Sequence, residues 1–184
     1  MKKKYIYSGI ILIIFIFIFQ WPAAGFNLID ENIRERVQNK NDGNLGEVMS
    51  LITELGDGRS SLAIAGFLPD EKARTQAYKS VFVSSAAVFT LKAIIGKKRP
   101  PGPIEFKPFT LDGSYHAFPS GHTTTSFALA TTIAEYYPEY KKHAYIVASL
   151  VGISRLFEDA HWATDVLAGA GLGYVSARLV EIKW

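Results

Sequence analysis

The chain has 184 residues, enough for one domain with a sizeable core and too few for two ordinary ones. Hydrophobic residues make up 48% and charged residues 20%, which excludes a disordered tail, and a net charge of +3 is too small to argue for a nucleic-acid partner. Cysteine is absent, so disulfides, thiolate catalysis, iron–sulfur clusters and cysteine zinc sites are excluded.

The apolar excess gathers at the start. Met1-Lys2-Lys3-Lys4 precedes a block from Ile10 to Phe19 made almost wholly of Ile and Phe, followed by Gln20-Trp21-Pro22-Ala23-Ala24-Gly25. As a buried helix this block would need protein on every side. Residues 1–26 are therefore expected to be a signal peptide or membrane anchor, with Ala23 and Gly25 forming a small-x-small site that permits cleavage after Gly25. The lysines favour a cytoplasmic N-terminus and place the rest in the cell envelope, periplasmic or on the outer face of the cytoplasmic membrane.

The mean hydropathy of +0.11 sums to roughly 20 units over the chain, while Tyr5 to Phe26 alone supplies roughly 40. What remains is slightly polar, which favours one domain, 27–184, lying in water or at the membrane surface. A polytopic arrangement of about six helices stays open, because Lys and Arg in the turns 70–76 and 139–142 would all fall inside. Against it, the second span would carry Glu54, Asp57 and Arg59, and the fourth would begin Thr123-Thr124-Thr125-Ser126.

In chain order, apolar positions Leu28, Ile29, Ile33 and Val37 predict a helix over 28–37, and Asn39 to Asn44 a loop. Gly56-Asp57-Gly58 breaks the next helical stretch. Pro69-Asp70-Glu71 opens another, with Asp70 as its cap. Ala73 to Ile95 reads as a long packed helix stopped by Gly96 and Pro100. Residues 101–118 form a long irregular loop rich in Pro and Gly. Three helices follow, Ser120–Tyr136, His143–Phe157 and His161–Leu179. The last carries a small-residue face containing Gly169, Gly171 and Gly173. No β-alternating run appears, so the domain is expected to be all-α.

Polar residues that do not suit their surroundings fall at the ends of these helices. They are Lys92 with Arg99-Pro100, Pro119-Ser120-Gly121-His122, Ser154-Arg155, and His161 with Asp165. If the long helices alternate in direction, all four clusters share one end of the bundle. Each alone has a bland reading: a snorkelling lysine, arginines complementing helix dipoles, a serine N-cap, a structural His–Asp pair.

Together they make a receptor for a tetrahedral anion, from three cations and the backbone N–H groups of Ser120 and Gly121. His161 can attack phosphorus with Asp165 holding its other nitrogen, and His122 can protonate the departing oxygen. A metal held by His122, His161 and Asp165 would be opposed by the three cations beside it, so no cofactor is expected.

Lys92-x6-Arg99-Pro100, Pro119-Ser120-Gly121-His122 and Ser154-Arg155-x5-His161-x3-Asp165 resemble the three signature motifs of the type 2 phosphatidic acid phosphatase (PAP2) superfamily. That superfamily includes lipid phosphatases, bacterial non-specific acid phosphatases and vanadium haloperoxidases. The resemblance implies a PAP2-like helical bundle, here preceded by an N-terminal hydrophobic helix. It implies His161 as nucleophile, Asp165 orienting it, His122 as acid and then base, and Lys92, Arg99, Arg155, Ser120 and Gly121 on the phosphate. Many relatives have Arg two residues before the Arg99 position, where this chain has Lys97.

The activity implied is hydrolysis of a phosphomonoester or pyrophosphate, on a membrane lipid or else a small soluble ester. A haloperoxidase and a non-catalytic phospholipid-binding envelope protein are the further alternatives. No obligate protein partner is implied. The motifs read phosphate and not the leaving group. Phe106, Phe109, Tyr115, His116 and Phe118 of the 101–118 loop are the candidates for selecting the substrate.

Overall fold

The computed structural model describes residues 24–183, with side chains placed for residues 27–181. The signal or anchor expected at 1–26 lies almost wholly outside them. Seven α-helices occupy the described residues: α1 (Ala24–Gln38), α2 (Gly43–Glu54), α3 (Gly58–Gly66), α4 (Glu71–Ile95), α5 (Gly121–Tyr136), α6 (Lys141–Phe157) and α7 (Ala163–Lys183). The single β-type pairing among them is an isolated bridge between Lys97 and Phe106. The architecture is all-α.

Local chemistry explains the breaks. Asp42, Asp57 and Asp70 each accept a backbone N–H of the helix they precede, at 2.8, 2.9 and 2.9 Å, satisfying donors that the first turn leaves orphaned. Gly96 ends α4 in the left-handed region (φ 58, ψ 49), and a Cβ there would lie 1.8 Å from the Lys107 carbonyl oxygen. The chain then turns into the 101–118 loop.

α5 is the central helix, packed on α4, α6 and α7. Thr123, Thr124, Thr125 and Ser126 are all buried in it, as a helix enclosed by protein tolerates. Thr124 and Thr125 return their hydroxyls to the Ser120 and Gly56 carbonyls at 2.7 and 2.8 Å. The small face of α7 meets α5 so closely that a Cβ on Gly169 or Gly173 would lie 2.6 Å from Ser120 O or 2.2 Å from Thr124 O. Apolar packing supports this contact from Ala65, Ala77, Val81 and Leu129, and from Ile95, Phe118 and Ala168.

α1 lies across the end of α6. Arg34 forms two 2.6 Å bonds to the Asp159 carboxylate, Gln38 donates to Leu156 O at 2.7 Å, and Asn41 donates to Phe157 O at 2.9 Å. Among the described residues one helix, α4, is long and apolar enough to cross a membrane by length and composition.

Candidate active site

The alternation of long helices brings the four motif clusters to one end. α4 leads through Gly96 to Arg99, α5 begins after Ser120, α6 carries Arg155 in its last turn, and α7 begins after His161. Hydrogen bonds lock these ends together. Ser120 N–H donates to Asp165 O (3.0 Å), Arg99 Nη1 to Ala160 O (2.9 Å), and Lys92 Nζ to His116 O. Arg155 Nη1 donates to Thr53 Oγ1 at 3.0 Å and pairs with Glu158. Its Nε is buried without a partner, a donor left available to an anion.

His161 is buried with its two nitrogens in different company. Nε2 lies 3.4 Å from Arg99 Nη1, on the cation side. Nδ1 lies 3.7 Å from Asp165 Oδ2 and has no hydrogen-bond partner. That separation exceeds a hydrogen bond. Burial, with the charges of Lys92 and Arg99, pushes the imidazole down to about 3 against the pull of Asp165. The ring is therefore neutral with a lone pair to give. Burial alone would raise the Asp165 carboxyl, but Lys97 and His161 outweigh it and hold the group below the usual carboxylate range.

His122, in the first turn of α5, is pushed down to about 4 by burial and by Arg155, Lys92 and Arg99, with Asp57 acting in the opposite direction. Lys92 and Arg99 thus act on both histidines, and Arg155 on His122. Among the described residues no three His, Cys, Asp or Glu side chains gather as a metal-holding group.

Several expectations need correction. The Ser120 N–H does not face an anion, because it is engaged by Asp165 O; Gly121 keeps the first N–H of α5, and the fully buried Ser120 hydroxyl accepts from Thr123 Oγ1 at 2.9 Å. Phe118 is in the core. It is 6% exposed and packs with Ile95, Ala168 and Leu91. His116 is tied within the loop through Nε2 and Thr110 O (3.0 Å), and its carbonyl holds Lys92. Tyr115 bonds Glu105 at 3.1 Å with Lys107 over its ring. Phe106 and Phe109 remain exposed, Phe109 at 81% beside Leu111 at 85%.

Sequence reading also left supporting residues unplaced. Lys97 stands behind Asp165 rather than in the anion pocket, bonded to Asp30, Thr164 and Asp165. Thr53 and Glu158, which hold Arg155, carry no motif. A buried-cation requirement at Lys97 is the one signal that would have prompted a search for a carboxylate such as Asp30.

A helical bundle whose end gathers three cations around a carboxylate-backed histidine defines an oxyanion-binding site of the phosphoryl-transfer kind. The chain belongs to the PAP2 superfamily, whose family profile matches residues 75–182. It is similar to the lipid A 1-phosphatase of Porphyromonas gingivalis, 33% identical over 156 residues, covering 82% of this chain and 34% of that protein. It is also similar to phosphatidylglycerophosphatase B of Bacillus subtilis, 35% identical over 102 residues, covering 50% of this chain and 48% of that protein. The chain spans between 34% and 48% of the length of the lipid A 1-phosphatases it matches.

Among solved structures, Aquifex aeolicus LpxE shares the fold with a TM-score of 0.72 at 19% identity, covering 85% of this chain and 96% of that one. The transmembrane PAP2-type phosphatidylglycerolphosphate phosphatase of Bacillus subtilis has a TM-score of 0.63 at 22% identity, covering 96% and 93%.

Proposed function

We propose that the chain is a phosphatase that hydrolyses a phosphomonoester or pyrophosphate of a membrane lipid in the cell envelope through a phosphohistidine, without a metal. One observation carries the reading: the His161 ring bridges two environments, Nε2 toward Arg99 and Nδ1 toward Asp165. A neutral ring protonated at Nδ1 offers its Nε2 lone pair to phosphorus held by Lys92, Arg99, Arg155 and Gly121 N–H. The P–N bond forms as the P–O bond to the leaving group breaks, and His122 gives its proton to that oxygen. In the second half His122 takes a proton from water, hydroxide oxygen attacks phosphorus, and the P–N electron pair returns to Nε2. The cations supply the charge neutralisation that a metal provides elsewhere.

The lipid part of the proposal rests on apolar surface near the site. Phe109 and Leu111 flank Thr110, whose carbonyl is bonded by His116, the residue that also holds Lys92. An apolar groove of about 410 Å³ between α3, α5 and α6 includes Ser126 and Val151, which flank Gly56 beside His122. The names of the relatives, lipid A 1-phosphatase and phosphatidylglycerophosphatase, point the same way.

The test is phosphate release from phosphatidic acid, phosphatidylglycerol phosphate, isoprenyl pyrophosphate, lipid A and a soluble aryl phosphate, with and without chelator. Chelator-resistant release, faster on a lipid and inhibited by vanadate, supports the reading. Release that needs an added divalent ion would reject the metal-free mechanism. Halogenation in vanadate and peroxide without phosphatase turnover would replace it.

A further inference from the structure

Behind the nucleophile lies a buried charge network that the three motifs do not contain. Lys97 Nζ directs its three protons to three acceptors: Asp165 Oδ1 at 2.8 Å, Thr164 Oγ1 at 2.8 Å and Asp30 Oδ2 at 3.1 Å. Thr164 closes the ring by donating its hydroxyl to Asp30 Oδ2 (2.6 Å) and its N–H to Asp30 Oδ1 (2.9 Å). The side chains of Lys97, Asp30 and Asp165 are 6%, 2% and 0% exposed. Lys97 also stands 5.9 Å from the centre of the Trp162 ring, and Trp162 N–H donates to Asp165 Oδ2 at 2.9 Å.

The charge count decides what this arrangement does. A lone Lys97–Asp165 pair would be neutral, and a positive charge arriving on His161 would leave the buried cluster at +1. With Asp30 included, the cluster is −1 while His161 is neutral and reaches zero when the ring becomes cationic. In a low-dielectric interior a balanced cluster is strongly preferred to one with excess charge. Asp30 therefore shares Lys97 and leaves part of the Asp165 charge for the imidazolium.

Resting on the proposed phosphohistidine chemistry, we infer that Asp30 and Lys97 are positioning residues of the reaction: α1, 134 residues before Thr164, completes the electrostatic support of His161 through Asp165. Neither touches the reacting phosphate. Their influence passes through the Asp165 carboxylate, whose orientation Lys97 and Trp162 fix.

The test uses the full chain in detergent micelles, an aryl phosphate as substrate and vanadate as probe of the anion pocket. Asp30→Asn should lower kcat on the order of 10–100-fold, as for residues that orient catalytic histidines from behind. KM and vanadate affinity should stay unchanged, because Lys92, Arg99 and Arg155 are untouched. The double variant Asp30→Asn/Lys97→Met restores the original charge count and should turn over faster than Asp30→Asn alone. A purely structural role predicts the reverse, since the double variant loses more buried contacts.

Lys97→Arg, which keeps the charge, should retain more activity than Lys97→Met. If Asp30→Asn does not fold, Thr164→Val removes the hydroxyl shared by Asp30 and Lys97 while keeping both carboxylates, and should lower kcat without changing vanadate affinity. Unchanged kcat in the folded variant, parallel loss of kcat and vanadate binding, or a double variant no better than the single would each overturn the inference. A wild-type chain that releases no phosphate would reject the proposed function itself; active wild type with an indifferent Asp30→Asn rejects only this step.

Discussion

The backbone N–H of Ser120 donates to the carbonyl oxygen of Asp165 across 3.0 Å, joining the start of α5 to the start of α7. This bond fixes the helix that carries His122 against the helix that carries Asp165, so the proposed acid and the carboxylate behind the proposed nucleophile are set by main chain rather than by flexible side chains. The close approach that allows it depends on the glycines of α7. Gly173→Ala would put a Cβ 2.2 Å from Thr124 O, which is backbone and cannot swing aside. A loss of about 1–3 kcal/mol is expected from such overpacking. Gly58→Ala, where nothing lies within 4 Å, should be near neutral. Denaturant unfolding of the two variants side by side checks the contrast, and equal stabilities would contradict the packing account.

His161→Ala should abolish turnover while leaving vanadate binding, since the three cations and the helix N–H remain. Asp165→Asn should cost on the order of 10²–10⁴-fold in kcat through lost support of the cationic ring. Rapid quench of the wild type should trap an acid-labile, base-stable phosphoryl adduct that the alanine variant lacks. The same adduct in His161→Ala would assign the nucleophile elsewhere.

The all-α class, the long helix ending at Gly96, the Asp70 cap and the convergence of four clusters were all legible from the sequence. Helix periodicity, a left-handed glycine stop and antiparallel alternation are local or nearly local properties. The partners of those clusters were not legible. Asp30 reaches Thr164 across 134 residues, and nothing in the pattern of α1 marks one carboxylate among several as buried. Phe118 and Phe109 likewise look alike in the loop sequence. Only the fold turns one into the core and the other outward.

That split gives a loop prediction. Phe118→Ala removes a buried aromatic from the cluster with Ile95 and Ala168 and should cost about 3–5 kcal/mol of stability. Phe109→Ser with Leu111→Ser removes exposed apolar surface and should leave the melting temperature unchanged while lowering activity on lipid in vesicles relative to a soluble aryl phosphate. An unchanged lipid-to-soluble ratio would make these two residues bystanders and leave selection to the groove between α3, α5 and α6.

The depressed histidines predict the direction of two pH effects. Burial and the neighbouring cations push His161 and His122 down to about 3 and about 4, whereas an unfolded histidine titrates near 6.5. Between those values the unfolded chain binds protons that the folded chain refuses, so stability falls as pH drops from about 6.5 toward 4. His122→Gln removes one of these groups and should flatten that slope in thermal unfolding measured across the range. Vanadate should flatten it in part, because burial is the main cause of the depression and an anion among Lys92, Arg99 and Arg155 relieves only the repulsion that adds to it.

For turnover the same position means that free His122 is a neutral imidazole at neutral pH, so the second proton that makes it an acid must come with the arriving substrate. A phosphomonoester holds its second proton up to about pH 6 and can deliver it. kcat/KM should therefore be highest in the acid range and decline above about pH 6. The decline should be weaker for an aryl phosphate whose leaving group needs little protonation. A profile that rises through pH 8 for an alkyl phosphate would show that His122 is not the acid.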